Sequence, residues 1–199
     1  MNKCLILIGC WIFLILAGCA HSPSDNLSGA QIVGKRENAI RTADLAHYEN
    51  ANRLLESGDY DKALSGLQRV TAANPGFIEA WVNQAIALNA LQKYSDADKA
   101  IQQAARLGAT SAEFYNILGL IDLANHRYQL AEQHLQKSIN MDASCAQCHF
   151  NLGLLYDVYY QNFAKALEHY QIYLAHIQTT DEETEQWMEE LRRKLARGK

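Results

Sequence analysis

Three residues near position 145 have types and a spacing suited to chemistry. Cys145 and Cys148 are separated by two residues, and His149 follows directly. This C-x-x-C-H spacing is typical of c-type haem attachment, in which two thiols add to the vinyl groups and the histidine ligates iron. Two cysteines three residues apart at a helix start also have Cα atoms about 5 Å apart, within disulfide range. At a helix N-terminus such a pair can be redox-active. Haem attachment, a local disulfide or free thiols, and thiol redox chemistry are therefore the alternatives for Cys145 and Cys148.

The rest of the sequence has no second group of residues with catalytic or metal-binding spacing. His169 and His176 are seven residues apart, about 10 Å of rise on a helix, which is too far to share one metal ion without other ligands. The sequence has no phosphate-binding loop, zinc-protease motif or nucleophile elbow. The formal net charge is −4, whereas nucleic-acid binding needs clustered Lys and Arg. We therefore expect no enzyme activity, metal, nucleic acid or small-molecule substrate, and no cofactor unless the haem alternative holds.

The N-terminus predicts export and lipidation. Lys3 precedes an apolar run over 4–16, which has the length of a signal-peptide core and is too short to span a bilayer. The run ends in Leu16-Ala17-Gly18-Cys19, which resembles the lipobox of bacterial lipoproteins. The resemblance implies a signal peptide over 1–18 and lipid on Cys19. Because Ala20 follows rather than aspartate, it also implies the outer membrane, with the protein facing the periplasm. Residues 19–37 are polar and Ser-rich, and we expect them to form the lipidated N-terminus and a flexible tether.

A period of 34 residues, counted from Asp44, organises the remaining sequence. In this register small residues recur where two helices must approach closely, and ring-bearing residues recur beside them. In the fourth unit the ring and the alanine come one residue late, at Phe163 and Ala166, which predicts a one-residue insertion in the turn near Gln161 and Asn162. The recurring residues are Ala51, Ala85, Gly119 and Gly153 at position 8; Tyr60, Tyr94 and Tyr128 at position 17; Ala63, Ala97 and Ala131 at position 20; and His47, Trp81, Tyr115 and His149 at position 4.

This register resembles the tetratricopeptide repeat (TPR) family over about residues 44–176. The best-matching strings are Ala80-Trp81-Val82-Asn83, Gly58-Asp59-Tyr60-Asp61-Lys62-Ala63 and Asn151-Leu152-Gly153-Leu154-Leu155-Tyr156. The resemblance implies an all-α fold, a right-handed superhelix of about four stacked helix pairs. We expect a TPR domain over 38–179, with repeats at about 44–77, 78–111, 112–145 and 146–180, and a C-terminal capping helix over 181–197.

Two details of the helices follow from the same register. Trp187, Leu191 and Leu195 form one apolar stripe on the predicted capping helix. Ser111, Ser144 and Thr180 stand where helix N-caps are expected.

The register also bears on the cysteine–histidine motif. His149 falls at the ring position that Trp81 and Tyr115 occupy in earlier units, so a place in the core accounts for it without haem. A local disulfide or free thiols is therefore the favoured interpretation of Cys145 and Cys148.

The first helix of each pair is expected to line a binding groove. By resemblance, TPR proteins hold extended or helical peptides against this concave face. Here the face has apolar residues, asparagines and acids but no Lys or Arg, which speaks against the two-carboxylate clamp of chaperone-binding TPR domains. An apolar or basic amphipathic segment fits better. The predicted groove residues are Tyr48, Asn52, Glu79, Val82, Ile86, Asn89, Glu113, Asn116, Leu120, Phe150, Leu154 and Asp157.

Together these features predict a membrane-anchored scaffold or assembly lipoprotein. Its expected partner is a protein of a cell-envelope complex: pilus, TonB-type or motility, or peptidoglycan machinery. One alternative is a c-type haem or thiol-redox protein that uses Cys145, Cys148 and His149. Another is a structural homo-oligomer whose groove is filled by a neighbour's C-terminal helix.

The lipidation hypothesis predicts the behaviour of the Cys19→Ser variant. Because the thioether to lipid needs the Cys19 thiol, we expect the variant to incorporate no labelled palmitate and to leave the membrane fraction. Labelling and fractionation of cells that express the variant or the native chain measure both effects. Unchanged labelling and anchoring in Cys19→Ser would rule the hypothesis out.

Overall fold

The computed structural model describes residues 42–197, and the predicted signal peptide, Cys19 and the whole predicted tether lie outside the described residues. Over this range the chain forms α-helices and one π-helical turn, with no strand. The predicted all-α class is confirmed. The elements are α1 (Thr42–Glu56), α2 (Tyr60–Ala73), α3 (Ile78–Ala90), α4 (Tyr94–Arg106), α5 (Ala112–Ala124), α6 (Tyr128–Met141), α7 (Ala146–Leu154), the π-turn (Leu155–Tyr159), α8 (Phe163–His176) and α9 (Glu182–Arg197).

Consecutive helices form antiparallel pairs, α1 with α2, α3 with α4, α5 with α6 and α7 with α8. The small residues at positions 8 and 20 lie between the two helices of each pair and are all buried. Gly119 and Gly153 show how close the approach is. A Cβ built on Gly119 would lie 2.7 Å from Leu135 Cγ, and one on Gly153 would lie 2.8 Å from the ring of Tyr170.

Polar side chains start several helices by accepting a backbone N–H that has no partner within the helix. Ser111 Oγ accepts from Phe114 N at 3.1 Å, which confirms that predicted cap. Cys145 caps α7 instead of the predicted Ser144, whose hydroxyl donates to Asp142 Oδ1.

The cap of α9 also differs from the prediction. Asp181, rather than Thr180, accepts from Thr184 N at 3.0 Å, and it also accepts from Tyr173 Oη at 2.9 Å. A carboxylate that serves both the helix start and a tyrosine of α8 explains why the aspartate takes this place.

The extra residue of the fourth unit lies inside the first helix rather than in the turn, so that part of the prediction is wrong. In each of the first three units, a backbone hydrogen bond runs from the residue just before the second helix back to the end of the first helix. It spans five residues, as in Lys93 N to Leu88 O at 2.8 Å. In the fourth unit the equivalent bond runs from Asn162 N to Tyr156 O and spans six. The turns themselves match, because the residue with positive φ stands two before the second helix in each unit: Gly58, Gln92, His126 and Gln161. The π-turn therefore absorbs the insertion.

Side-chain amides and ion pairs join successive helix pairs. Asn83 Nδ2 donates to Asn52 Oδ1 at 2.8 Å, and Asn151 Nδ2 donates to Asn116 Oδ1 at 2.8 Å. Arg127 connects the second and third pairs, because it donates to Asp98 in α4 and also to Asp122.

Buried Asp122 has a second partner within the third pair. His134 Nδ1 lies 2.7 Å from Asp122 Oδ2, opposite the carboxylate oxygen that accepts from Arg127. Both carboxylate oxygens are thus hydrogen-bonded, as a buried charge requires.

Helix α9 covers the end of the array. Met188 and Leu191 are 3% and 2% exposed, whereas Trp187 and Leu195 of the predicted stripe are half-buried. Among residues 42–197, no helix is long and apolar enough to cross a membrane.

The close approach at Gly153 predicts the effect of one methyl group. Gly153→Ala places Cβ 2.8 Å from two ring carbons of Tyr170, a side chain that is 0% exposed and has no room to move. We expect a net loss of about 1–2 kcal/mol in the free energy of unfolding, since the clash outweighs the gain of about 1 kcal/mol that alanine has over glycine in a helix. Urea unfolding followed by circular dichroism measures it.

Gly76→Ala is the matched control, because a Cβ on Gly76 meets no atom within 4 Å. Its free energy of unfolding should stay within about 0.5 kcal/mol of the native value. Equal effects of the two substitutions would contradict the packing described for Gly153.

Candidate binding groove and cysteine–histidine cluster

The first helices α1, α3, α5 and α7 lie side by side along one face of the array. Asn83 Nδ2 on α3 reaches α1 twice, at Asn52 Oδ1 and at Tyr48 Oη, 3.0 Å away. The Asn116–Asn151 bond joins α5 to α7 in the same way, and α3 contacts α5. These hydrogen bonds hold the lining of the predicted groove in register.

The predicted groove residues differ in how much surface they offer. Val82, Asn116 and Phe150 are buried, and Phe150 lies within ring-contact distance of Tyr170, Tyr173 and Trp187. Because all three are buried, they present little surface to a partner. Glu79 and Glu113 are exposed, and the others are half-buried: Tyr48, Asn52, Ile86, Asn89, Leu120, Leu154 and Asp157.

Two carboxylates, those of Glu79 and Glu113, act on Tyr48 near the N-terminal end of this face. The pKa of Tyr48 is raised, first by burial of its hydroxyl and then by the negative charges of Glu79 and Glu113, while its hydrogen bonds to Asn52 and Asn83 oppose the shift. The two carboxylates, which lie on α3 and α5, are therefore near enough to Tyr48 of α1 to act on the same point. Two exposed carboxylates on neighbouring repeats thus lie close to Tyr48.

A cleft of about 240 Å³ lies at the other end of the face, where α9 crosses the end of α7 and the π-turn. Lys194 of α9 already places a cation there, with Nζ 5.2 Å from the centre of the Phe163 ring and 3.4 Å from Glu190 Oε1. The contributions of α9 and α8 were missed by the sequence reasoning, because the register does not say how a capping helix crosses the array. The lining residues are Leu154, Asp157, Val158, Gln161, Phe163, Trp187, Glu190, Leu191 and Lys194.

The structure joins Cys145 and Cys148 by a disulfide, with Cα atoms 5.4 Å apart. Cys148 is fully buried, and its Sγ lies 3.0 Å from Ser138 Oγ of α6. Cys145 is half-buried at the start of α7. Covalent haem does not fit this arrangement, because the two sulfurs are bonded to each other and His149 is only 5% exposed.

His149 packs against a second histidine that the sequence had not connected with it. Its Nδ1 lies 3.0 Å from Nδ1 of His169 on α8, so one ring donates and the other accepts. His169 in turn stacks on Tyr156 at a centroid distance of 5.6 Å, and the Tyr156 hydroxyl donates to Glu132 Oε1 at 2.5 Å. Twenty residues separate the two histidines, and no spacing rule predicts such a pair.

The surroundings of His149 and His169 disfavour protonation of both imidazole rings. Burial lowers the pKa of His149 below its usual 6.5, and the charge of His176 lowers it further, while the Ala143 backbone and Glu168 raise it. Burial also lowers the pKa of His169, with contributions from His149 and Lys165 against that of Glu168. Over residues 42–197, no group of three or more His, Cys, Asp or Glu side chains is arranged to hold a metal ion.

Comparison with known proteins supports this architecture. Residues 54–121 match the family model of the tetratricopeptide repeat. Among solved structures, the chain is similar to a MamA protein, with 26% identity, 67% of this chain and 72% of the other covered, and a TM-score of 0.55. It is also similar to YrrB, a TPR protein with an unusual peptide-binding site (15% identity, 68% and 70% covered, TM-score 0.55), and to Pseudomonas aeruginosa PilF (20%, 78% and 70%, TM-score 0.67). No curated protein matches the sequence significantly. The structural likenesses confirm the predicted superhelix of helix pairs.

The histidine pair predicts how stability depends on pH. Because both pKa values are lower in the folded chain than the usual 6.5, the unfolded chain binds more protons below about pH 6.5. The stabilisation is therefore complete above that pH and is lost as the pH falls. We expect the free energy of unfolding to drop between pH 7.5 and pH 5 by more in the native chain than in His169→Gln, measured by urea unfolding. The exposed His126→Gln serves as control and should keep the native pH dependence. Identical profiles for all three chains would contradict the prediction.

Proposed function

We propose that this chain is a protein-interaction scaffold that holds a segment of a partner protein against the face formed by α1, α3, α5 and α7. The observation that carries the proposal is the continuity of this face. Hydrogen bonds from Asn83 to Tyr48 and Asn52, and from Asn151 to Asn116, fix neighbouring first helices to one another. A partner segment would therefore meet a pre-organised surface and would not have to order it on binding.

The side chains on this face indicate the chemistry of the partner. Ile86 and Leu120 offer apolar surface, and Glu79 and Glu113 add exposed carboxylates. None of the predicted groove residues is Lys or Arg. Charge complementarity therefore favours a basic amphipathic segment. The similarity to YrrB, a TPR protein with an unusual peptide-binding site, supports peptide binding as the general mode.

The scaffold is proposed to act at a membrane. Lipid on Cys19 would fix the chain to the outer membrane on its periplasmic side, and residues 19–37 would give the folded part reach. Such tethering raises the concentration of a bound partner near other components of an envelope complex without any new contact. Pilus, TonB-type or motility, and peptidoglycan machinery are the proposed settings. The support for this step is the sequence around Leu16 and Cys19.

Site-specific crosslinking tests the groove. A photo-crosslinking amino acid at Ile86 or Leu120 should capture a protein partner in cells, because both side chains are half-buried on the proposed face. The same amino acid at Ala105 or Gln136, which are exposed on the second helices α4 and α6, is the matched control and should not capture that partner. Equal capture from all four positions would overturn the proposal, and capture of a second copy alone would favour the homo-oligomer.

Charge reversal tests the chemistry of the partner. Glu79→Lys combined with Glu113→Lys reverses the potential around Tyr48, so the crosslinked yield from Leu120 should fall about tenfold or more, equivalent to ~1.4 kcal/mol. Glu182→Lys combined with Glu185→Lys changes the same net charge on exposed positions of α9 and should leave the yield unchanged. A gain in yield on reversal at Glu79 and Glu113 would show that the partner is acidic.

A further inference from the structure

The Cys145–Cys148 disulfide joins residues that the fold already holds in place. In the third repeat the equivalent start of α5 is built by Ser111, whose Oγ accepts from Phe114 N at 3.1 Å. Cys145 Sγ accepts from Cys148 N at 3.2 Å in the same geometry. A disulfide with a sequence separation of three closes a very short loop, and short loops constrain the unfolded chain less than long ones. The helix start therefore does not require the bond.

The two sulfurs have different surroundings. Cys145 is half-buried and follows exposed residues 142–144, so it is the one that a partner can approach. Cys148 is 0% exposed and lies behind it against α6. This is the order that thiol–disulfide exchange needs, with an outer cysteine that reacts with the partner and an inner one that resolves the intermediate.

The hydrogen bonds assign a different protonation state to each cysteine once the pair is reduced. The Ser138 hydroxyl donates its proton to Ala112 O at 2.6 Å, so its oxygen can accept the S–H of Cys148, 3.0 Å away. Cys145 Sγ instead faces the N–H of Cys148 at the N-terminus of α7, which stabilises a thiolate. The reduced state has a partner for each sulfur, which is a condition for a reversible pair.

We propose that Cys145 and Cys148 form a thiol–disulfide exchange site whose substrate is a pair of cysteines on a partner protein. A partner thiolate attacks Cys145 Sγ, the Cys145–Cys148 bond breaks, and its electron pair leaves on Cys148, which takes a proton from the partner's second thiol. That second partner sulfur then attacks the first, and Cys145 leaves as a thiolate. The partner loses two electrons and becomes a disulfide, and this chain gains them as a dithiol. The reverse sequence reduces a partner disulfide by the same steps.

Exchange with a defined dithiol tests the proposal. The full chain, purified in detergent with its disulfide intact, is mixed with a Cys-Gly-Gly-Cys peptide, and loss of the disulfide is followed by mass spectrometry while circular dichroism reports the fold. We expect the helical signal to persist and the reaction to be about tenfold or more faster than with a peptide of residues 143–150 that carries the same disulfide. Only the folded chain stabilises the reduced pair, with the Cys148 S–H against Ser138 Oγ and Cys145 as the thiolate that leaves in the second step. A rate no higher than that of the short peptide, or reduction only as the helices unfold, would overturn the proposal.

Single cysteine variants identify the reacting sulfur. Cys148→Ser should trap a mixed disulfide between Cys145 and an oxidised Cys-Gly-Gly-Cys peptide, whereas Cys145→Ser should trap little because Cys148 is buried. Iodoacetamide should alkylate Cys145 in Cys148→Ser at a lower pH than it alkylates free cysteine. Both variants must show the native helical signal for the comparison to count. Trapping through Cys148, or alkylation of Cys145 with the pH profile of free cysteine, would contradict the assignment.

Discussion

The close approach of the two helices within each pair is the constraint on which the rest of the structure depends. A Cβ on Gly119 or Gly153 would collide with Leu135 or Tyr170, and alanines fill the corresponding positions of the other units with no exposed surface. Helices that pack this tightly bury one face against each other and leave another for the next pair, so a single pair is not stable alone and the array must stack. The groove exists because stacking brings first helices next to first helices, and α9 covers the surface that the last pair leaves.

The sequence predicted the fold because this constraint requires particular residue types at regular intervals along the chain. Small residues every 34 positions, with rings beside them, indicated the pairs and their approximate limits. The sequence also showed that the fourth unit has an extra residue, because Phe163 comes one position late. It did not show where the residue is inserted, because the position of Phe163 depends only on the combined length of the first helix and the turn. Likewise Ser111 was a recognisable cap, whereas Cys145 and Asp181 took the places expected of Ser144 and Thr180. Which of two adjacent polar side chains caps a helix depends on tertiary partners such as Tyr173.

The candidate site was harder to predict, for a related reason. The register could say which residues point from the first helices, yet Phe150 is buried because α9 brings Trp187 across it. Asn52 and Asn83 satisfy each other, and this pairing depends on the offset between α1 and α3. The contact between His149 and His169 joins helices whose relative rotation no local pattern encodes. A repeat pattern therefore predicted which residues share a face of a single helix, but not the pairwise contacts between helices.

The π-turn has a consequence for how the array treats a bound segment. An inserted residue would rotate everything after it by about 100° on an α-helix, and confining it to Leu155–Tyr159 keeps the core before it and the turn after it in register. Within those five residues, however, the side chains face directions that no other unit repeats. Tyr159 lies against Tyr128, and Asp157 faces the cleft below α9. Near-identical repeats offer a ligand several equivalent registers. One end that differs from the others breaks this degeneracy, so the array can fix the register of a bound chain.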